Sequence, residues 1–479
     1  MHHDFSSCYR AMKAKDARFD GLFFVGISTT NIYCRCICPA KLPKPENCYF
    51  FDSAASAEVA GFRPCLRCRP ETAPGRGSVD AQRSRARLAT RLIDSGFLET
   101  SSLSGLALHL NVSDRQLRRQ MQDELGFSPV KYAQTHRLLT AKRLLTDTGR
   151  PIGEIALMSG FQSVRRLNAI FKDRYAFSPK ELREGKKPDQ GSSTVAELSY
   201  RPPFAWIDHL QFLKNRLIQG VEFVDDLSYS RTVAIDGRTG YVRVSEANRP
   251  HHLRIELSES LAPVLTRVLR RIKRVFDLDA NPIAINDVLG ELSTSNPGLR
   301  LPGAFDGFEM AVRAILGQQV TVKFATTLAG RLSEAFGQNL ETNHPELRSV
   351  FPTAVRLAEC SQDDIARLGI IGSRARAILA LSTAISEKRL DLSPLAHFES
   401  TRSELLKLPG IGPWTAEYIC MRALGYPDAF PAKDVGLLKA LNVTTAQEAE
   451  ILAEKYRPWR AYAVIHLWRS LPARMENRS

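Results

Sequence analysis

The sequence predicts a multidomain α+β chain with four folded parts. These are a small cysteine-bearing domain over 1–75, an all-α domain built on a doubled helix-turn-helix over 76–185, a small antiparallel α+β domain over 196–285, and an all-α domain with a helix-hairpin-helix over 286–479. Three observations carry that prediction. Seven of the nine cysteines fall in the first 75 residues. One helical unit is written twice in the next hundred or so. After a polar stretch, alternating runs give way to long stretches of helical period. A chain of 479 residues has room for this many cores. The formal net charge of +15 favours a polyanionic partner, nucleic acid being the commonest, although a solvated basic surface gives the same number. No run is long and apolar enough to cross a bilayer, and the N-terminus MHHDFSSCYR lacks the apolar core of a signal peptide. The expectation is a cytoplasmic protein with no membrane partner, whose thiols stay reduced and free for metal or nucleophilic chemistry.

In 1–75, Cys34 and Cys38 form a CxxxC pair, and Cys65 and Cys68 a CxxC pair. Two short-spaced pairs around a small module can bring four thiolates to the corners of a tetrahedron around zinc. Cys36 and Cys48 are extras: Cys36 could compete as a ligand, or both could be small buried thiols. A four-cysteine site is by default a structural staple. The flanks TTNIYCR and GFRPCLRCRP, however, resemble the N-terminal domain of the Ada family. That resemblance implies one zinc ion on Cys34, Cys38, Cys65 and Cys68. It further implies that Cys34 accepts a methyl group from a DNA methylphosphotriester, with Thr30 and Arg63 at positions that contact the phosphate. A zinc-bound thiolate is ionised at neutral pH and still nucleophilic. Transfer would leave a thioether, consume the protein and remove one negative charge from a DNA-facing surface. The alternative is a structural zinc in a half that merely targets DNA.

Residues 76–185 open with Arg83, Arg85, Arg87 and Arg91. The units LSGLALHLNVSDRQLRRQMQDELGFSPVKY and IGEIALMSGFQSVRRLNAIFKDRYAFSPKEL follow. Each has an apolar helix with a small residue (Ala107, Ala156), a turn at Asn111 or Gly160, a serine cap (Ser113, Ser163), a basic amphipathic helix and a Phe-Ser-Pro stop. The pair resembles the DNA-binding motifs of AraC-type regulators. The second helix of each unit is expected in the major groove, with Arg115, Gln116, Arg118 and Arg119 in the first and Arg165, Arg166 and Asn168 in the second as candidates for base edges. Any one of these could instead touch only phosphate or solvent. Promoter DNA and RNA polymerase are the expected partners of this part. The run EGKKPDQGSSTV, centred on 186–195, is polar and aperiodic and reads as a linker.

Residues 196–285 contain SYSRTVAI, GYVRVS and HLRIEL, which alternate and are separated by Gly, Asn and Pro, as antiparallel strands are. AWIDHLQFLKNRLI and LAPVLTRVLRRIKRVFDL read as flanking helices. No chemistry is read from this part.

In 286–479, LPGIGPWTAEYICMRALGYPDAFPAKD combines a glycine-rich turn, a helix with Trp414 and Tyr418 one turn apart, and Asp434 downstream. Gly410 and Gly412 leave a turn without side chains, so a phosphate can reach backbone N–H groups at a helix N-terminus. This grips DNA without reading its sequence. The long amphipathic segment FDGFEMAVRAILGQQVTVKFATTLAGRLSEAFG precedes it. From about residue 200 to 471 the chain resembles the helix-hairpin-helix DNA glycosylases of the AlkA type. The resemblance implies hydrolytic excision of alkylated purines of the 3-methyladenine type from double-stranded DNA, leaving an abasic site. It places Trp414, Tyr418 and Trp468 around the extruded base, Asp434 as the catalytic carboxylate, and Gln319 as the wedge in the base stack, a position that tends to be apolar in the AlkA type, so that either the wedge is polar here or Val320 helps. The bland alternative for Gln318 and Gln319 is that they satisfy buried backbone groups. Trp414 stands where lyase relatives carry lysine, so a monofunctional enzyme is expected. No cysteine follows Cys420, so no iron–sulfur cluster is expected, and the hairpin carbonyls near Leu408 and Ile411 are where relatives hold a monovalent cation. The chain is expected to act as a monomer. The rival is a regulator whose glycosylase-like half only binds DNA.

Overall fold

The computed structural model describes residues 4–76, 85–184, 193–393 and 396–471. Arg83 and most of the 186–195 linker lie outside the described residues. Two compact units are present: Met1–Pro202 with Ala247–Arg267 and Leu278–Asn281, and Pro203–Glu246 with Val268–Asp277 and Pro282–Ser479.

In the first unit the cysteine-rich part is a four-stranded sheet. Phe24–Ile27 pairs antiparallel with both Ile32–Arg35 and Cys48–Phe51, and Ile32–Arg35 pairs parallel with Arg63–Pro64. That last pairing brings the 34–38 and 63–68 segments side by side. Gly26 is required here, because a Cβ would fall 2.8–2.9 Å from the rings of Phe51 and Phe62. The helical repeat follows. Ser113 caps Asp114–Leu125 in a capping box with Gln116, and Ser163 caps Val164–Tyr175. The turns come at Asn111 (φ +54°) and Gly160 (φ +79°). The Phe-Ser-Pro runs end one helix and start another, because Ser128 caps Pro129–Asp147 and proline is tolerated in the first turn. Ser193–Ser199 pairs with His252–Ser258 in this unit.

Buried polar groups knit the sheet to the repeat. Glu58, wholly buried, accepts from Tyr33 Oη (3.2 Å), Tyr175 Oη (3.4 Å) and Thr135 Oγ1 (3.1 Å). Glu71 pairs with Lys142 at 2.6 Å and with Arg69 at 3.1 Å.

In the second unit Ser228–Ile235 is the middle strand of an antiparallel ladder with Glu222–Val224 and Arg238–Glu246. The remainder is helical, with one core of Val, Leu, Ile, Ala and Phe side chains drawn mainly from 304–424. The long amphipathic segment is not one helix. It breaks between Gly307–Leu316 and Val322–Phe336, where Gln319 adopts φ +54° and Thr321 caps the second helix. Among the described residues no helix is long and apolar enough to cross a membrane.

Candidate active site and metal centre

Helix Pro413–Arg422 presents Trp414 and Tyr418 on one face, their rings stacked at 5.3 Å and 13°. Trp468, near the end of Arg460–Arg469, leans against Tyr418 at 6.2 Å and 43°. Asp434 closes the group. It is the N-cap of Val435–Ala440, and its Oδ1 accepts the Leu437 N–H at 2.9 Å. Trp468 Nε1 donates to the same Oδ1, and Trp414 Nε1 donates to Oδ2, each at 2.9 Å. Three chain segments thus fix one carboxylate that is only 3% exposed. Both oxygens receive neutral donors, so the anion is held in place without a neutralising cation among its hydrogen-bond partners. Lys433, its neighbour in sequence, is exposed.

Gly436 was not singled out from the sequence, yet a Cβ there would lie 3.0 Å from Asp434 Oδ1 and 3.3 Å from Trp468 Cδ1. Only the fold reveals that crowding.

The hairpin joins Phe398–Leu406 to Pro413–Arg422. Gly410 has φ +78°, and a Cβ would sit 3.0 Å from Ala377 Cβ. Gly412 is exposed, with nothing within 4 Å of a Cβ. Gln318 Nε2 donates to the Gly410 carbonyl (2.8 Å) and to Thr415 Oγ1 (3.0 Å), so Gln318 ties the interhelical break to the hairpin. Gln319 is exposed at the tip of that break.

In the first unit, the Sγ atoms of Cys34, Cys38, Cys65 and Cys68 all lie within 4.8 Å of one another. Four zinc-bound sulfurs at about 2.3 Å from the ion would stand roughly 3.8 Å apart, so this donor set fits a tetrahedral site. Hydrogen bonding from Cys34 lowers Cys65, and lowers Cys38 to about 7, while the hydrogen bond to Cys38 is the largest cause that raises Cys34. The Arg35 N–H donates to Cys68 Sγ at 3.4 Å, and the Arg35 guanidinium is buried on Asp20, Thr72 and the Cys68 carbonyl. Cys36 is outside the group: it donates to the Asp16 carbonyl at 3.4 Å and packs with Cys8 and Phe23. Cys48 donates to the Lys44 carbonyl at 3.3 Å. Thr30 is exposed in the turn before strand Ile32–Arg35. Arg63, paired with Ile32 across the parallel ladder, reaches the Tyr175 carbonyl at 3.5 Å.

On the repeat, Arg115, Arg118, Arg119, Arg165, Arg166 and Asn168 are exposed on the second helix of their units. Gln116 is exposed as well, and its side-chain oxygen accepts from the Ser113 N–H at 2.9 Å.

Four family profiles match the chain. They are the metal-binding domain of Ada over residues 7–71, a helix-turn-helix domain over 106–185, the AlkA N-terminal domain over 195–306, and the HhH-GPD superfamily of base excision DNA repair proteins over 312–457. A Mycobacterium tuberculosis protein named "Probable bifunctional transcriptional activator/DNA repair enzyme AlkA" is 38% identical, over 98% of this chain and 97% of its own. DNA-3-methyladenine glycosylase 2 of Escherichia coli is 37% identical over 57% of this chain and 95% of its own. Among solved structures, a 3-methyladenine DNA-glycosylase from Archaeoglobus fulgidus superposes with a TM-score of 0.51 at 19% identity, covering 57% of this chain and 97% of that one, which establishes the shared fold.

Proposed function

The chain belongs to the family of bifunctional transcriptional activator/DNA repair proteins of the AlkA type, an Ada-like half fused to a helix-hairpin-helix glycosylase, and from that membership we propose a DNA-3-methyladenine glycosylase joined to a methyl-accepting regulator. The observation that carries the glycosylase half is Asp434, held by Trp414, Trp468 and the Leu437 N–H beside a stack of aromatic rings.

A base inside a duplex is out of reach, so the nucleotide is extruded while Gln319 enters the stack and the hairpin at Gly410 and Gly412 holds the backbone. The pocket of Trp414, Tyr418 and Trp468 takes the flipped base, and a cationic N-alkylpurine gains cation–π attraction there. As the N-glycosidic bond breaks, its electrons leave with the base and positive charge grows on the sugar. The Asp434 carboxylate stabilises that charge and orients the water that adds at the anomeric carbon. With Trp414 where a lyase would place its amine, the reaction ends at an abasic site. A monovalent cation on the hairpin carbonyls near Leu408 and Ile411 belongs to the same reading.

The test is base release from duplex DNA containing 3-methyladenine, wild type against Asp434→Asn. We expect a fall of about 10²–10³ in rate for a folded variant. Equal release would move the role off Asp434, and no release by wild type would leave a DNA-binding regulator.

The four sulfurs support methyl transfer in the other half. Zinc, when bound, keeps its thiolates ionised at neutral pH. Cys34 attacks the methyl carbon of a methylphosphotriester. An S–C bond forms, the C–O bond breaks, and the phosphodiester leaves with the electron pair. Thr30 and Arg63 meet the phosphate. The lost negative charge strengthens binding of Arg115, Gln116, Arg118, Arg119, Arg165, Arg166 and Asn168 to promoter DNA, where a monomer recruits RNA polymerase. Labelled methyl should appear on wild type and not on Cys34→Ser. Labelling of that variant would put the acceptor elsewhere and leave Cys34 a ligand only.

A further inference from the structure

Behind the aromatic stack stands a charge that the proposed chemistry does not use. Arg422 lies one turn beyond Tyr418 on the same helix and is 2% exposed. Its Nη1 donates to the Tyr418 hydroxyl at 2.8 Å, and its Nε donates to the Pro302 carbonyl. The guanidinium stacks 4.9 Å from the Phe212 ring and 5.6 Å from the Tyr418 ring. Among the described residues no carboxylate pairs with it. Glu222 and Glu309 are committed to other arginines: each engages Arg313 (3.1 and 3.4 Å) and Arg231 (3.5 and 2.6 Å). A buried cation without an anionic partner is costly, and among the described residues the ionisable group hydrogen-bonded to it is the Tyr418 phenol.

We propose that Arg422 is a specificity-determining positioning residue, which polarises Tyr418 toward its phenolate so that the pocket prefers cationic purines to neutral ones. This rests on the glycosylase reading above. Tyr418 lies between Arg422 and the two indoles, so the negative end of the pair faces the pocket and the positive end faces the core. A phenol ring that gains electron density attracts a cation more strongly through its face. With Tyr418 neutral, Arg422 would leave net positive charge beside the pocket and repel the same substrate.

The surrounding groups agree in sign. Burial pushes the Tyr418 phenol up, but Arg422, Arg216 and Arg313 outweigh it and bring it below its ordinary value. Of the acids in this part of the fold, Glu222 and Glu309 are committed to Arg313 and Arg231, and Asp434 accepts from Trp414 and Trp468 rather than from Tyr418. Burial pulls the guanidinium down while the Tyr418 charge raises it, so each partner favours the ionised form of the other.

Two measurements on the full chain test this. Ultraviolet difference spectra of wild type against Tyr418→Phe should reveal one tyrosinate already present at the pH of the release assay, below the usual phenol value of about 10, and Arg422→Met should move its titration upward. The rate of 3-methyladenine release divided by that of hypoxanthine should fall about tenfold in both variants, which is a lost cation–π term of about 1.4 kcal/mol. If Arg422→Met does not fold, Tyr418→Phe decides alone. A Tyr418 still protonated at the pH of the release assay, or a ratio unchanged in Tyr418→Phe, overturns the proposal. Wild type that releases neither base sinks the glycosylase reading and the specificity claim together. Normal release with an unchanged ratio sinks only the latter.

Discussion

Asp434 caps a helix and faces the aromatic pocket with one carboxylate, and the two uses can be separated by substitution. Asparagine caps about as well as aspartate. In Asp434→Asn the remaining oxygen can keep Leu437 and Trp468, while the amide meets the Trp414 N–H and leaves that donor unsatisfied. The stability cost should be about 1–2 kcal/mol, small beside the loss of rate, and a thermal melt run beside the release assay separates them. Gly436 gives a sharper test. Glycine to alanine inside a helix ordinarily gains roughly 0.5–1 kcal/mol. Here the new Cβ would press on Asp434 Oδ1 at 3.0 Å and on Trp468. Gly436→Ala should therefore lose base release without gaining stability. A more stable variant with full activity would mean that the site has slack. Neither Gly436 nor the double indole contact was legible in the sequence, because residues 414, 434 and 468 meet only through the fold. What the sequence did carry was the residue types and the local spacing of Trp414 and Tyr418.

At the scale of elements, the two hairpin glycines should part company. Gly410→Ala places a side chain at φ +78° against Ala377 and should cost about 1–2 kcal/mol before DNA is involved. Gly412→Ala meets nothing within 4 Å. Its stability should be near wild type, so weaker duplex binding by Gly412→Ala in a retention assay would report a close approach of the phosphate backbone, and unchanged binding would remove Gly412 from the grip. The joint between the zinc-site sheet and the helical repeat carries a pH dependence. Burial raises Glu58 to about 7, against a usual value near 4.5, while Arg174, Thr135, Tyr33 and Tyr175 hold it lower than burial alone would. Folding therefore takes up a proton. The stabilisation is complete below about pH 4.5 and is lost as pH rises through about 7. Glu58→Gln, which can still accept from both tyrosines, should flatten that slope and stabilise the first unit above pH 7 by on the order of 3 kcal/mol. Melts of the zinc-loaded chain across this range check it, and a slope unchanged in the variant would assign the dependence to other groups. The caps and turns of the repeat were readable because they are local: Ser113, Ser163, Asn111 and Gly160 satisfy or break helices within four residues. Glu58 was not, because its donors come from positions 33, 135 and 175.

For the whole molecule, the division of chemistry follows the division of the chain. All four clustered cysteines lie in the first unit, and Trp414, Tyr418, Asp434 and Trp468 lie in the second. Fold class was legible at this scale because each part announces itself by a different short-range signal: cysteine spacing, repeated capped helices, alternation, or a glycine hairpin. The uneven break at Gln319 was not, since a run that is amphipathic on both sides hides a turn of five residues. The separation predicts how metal removal should act. Structural zinc sites contribute folding energy directly, so a chelator should abolish methyl uptake at Cys34 and loosen the sheet around it. The carboxylate and its indole donors share no residue with that site, so 3-methyladenine release by the same chelated sample should persist at close to its full rate. Release that falls in parallel with zinc loss would show that the second unit needs the first for its activity. Persistent release with methyl uptake gone would show two reactions that share a chain and a substrate polymer, with the coupling between them residing in DNA.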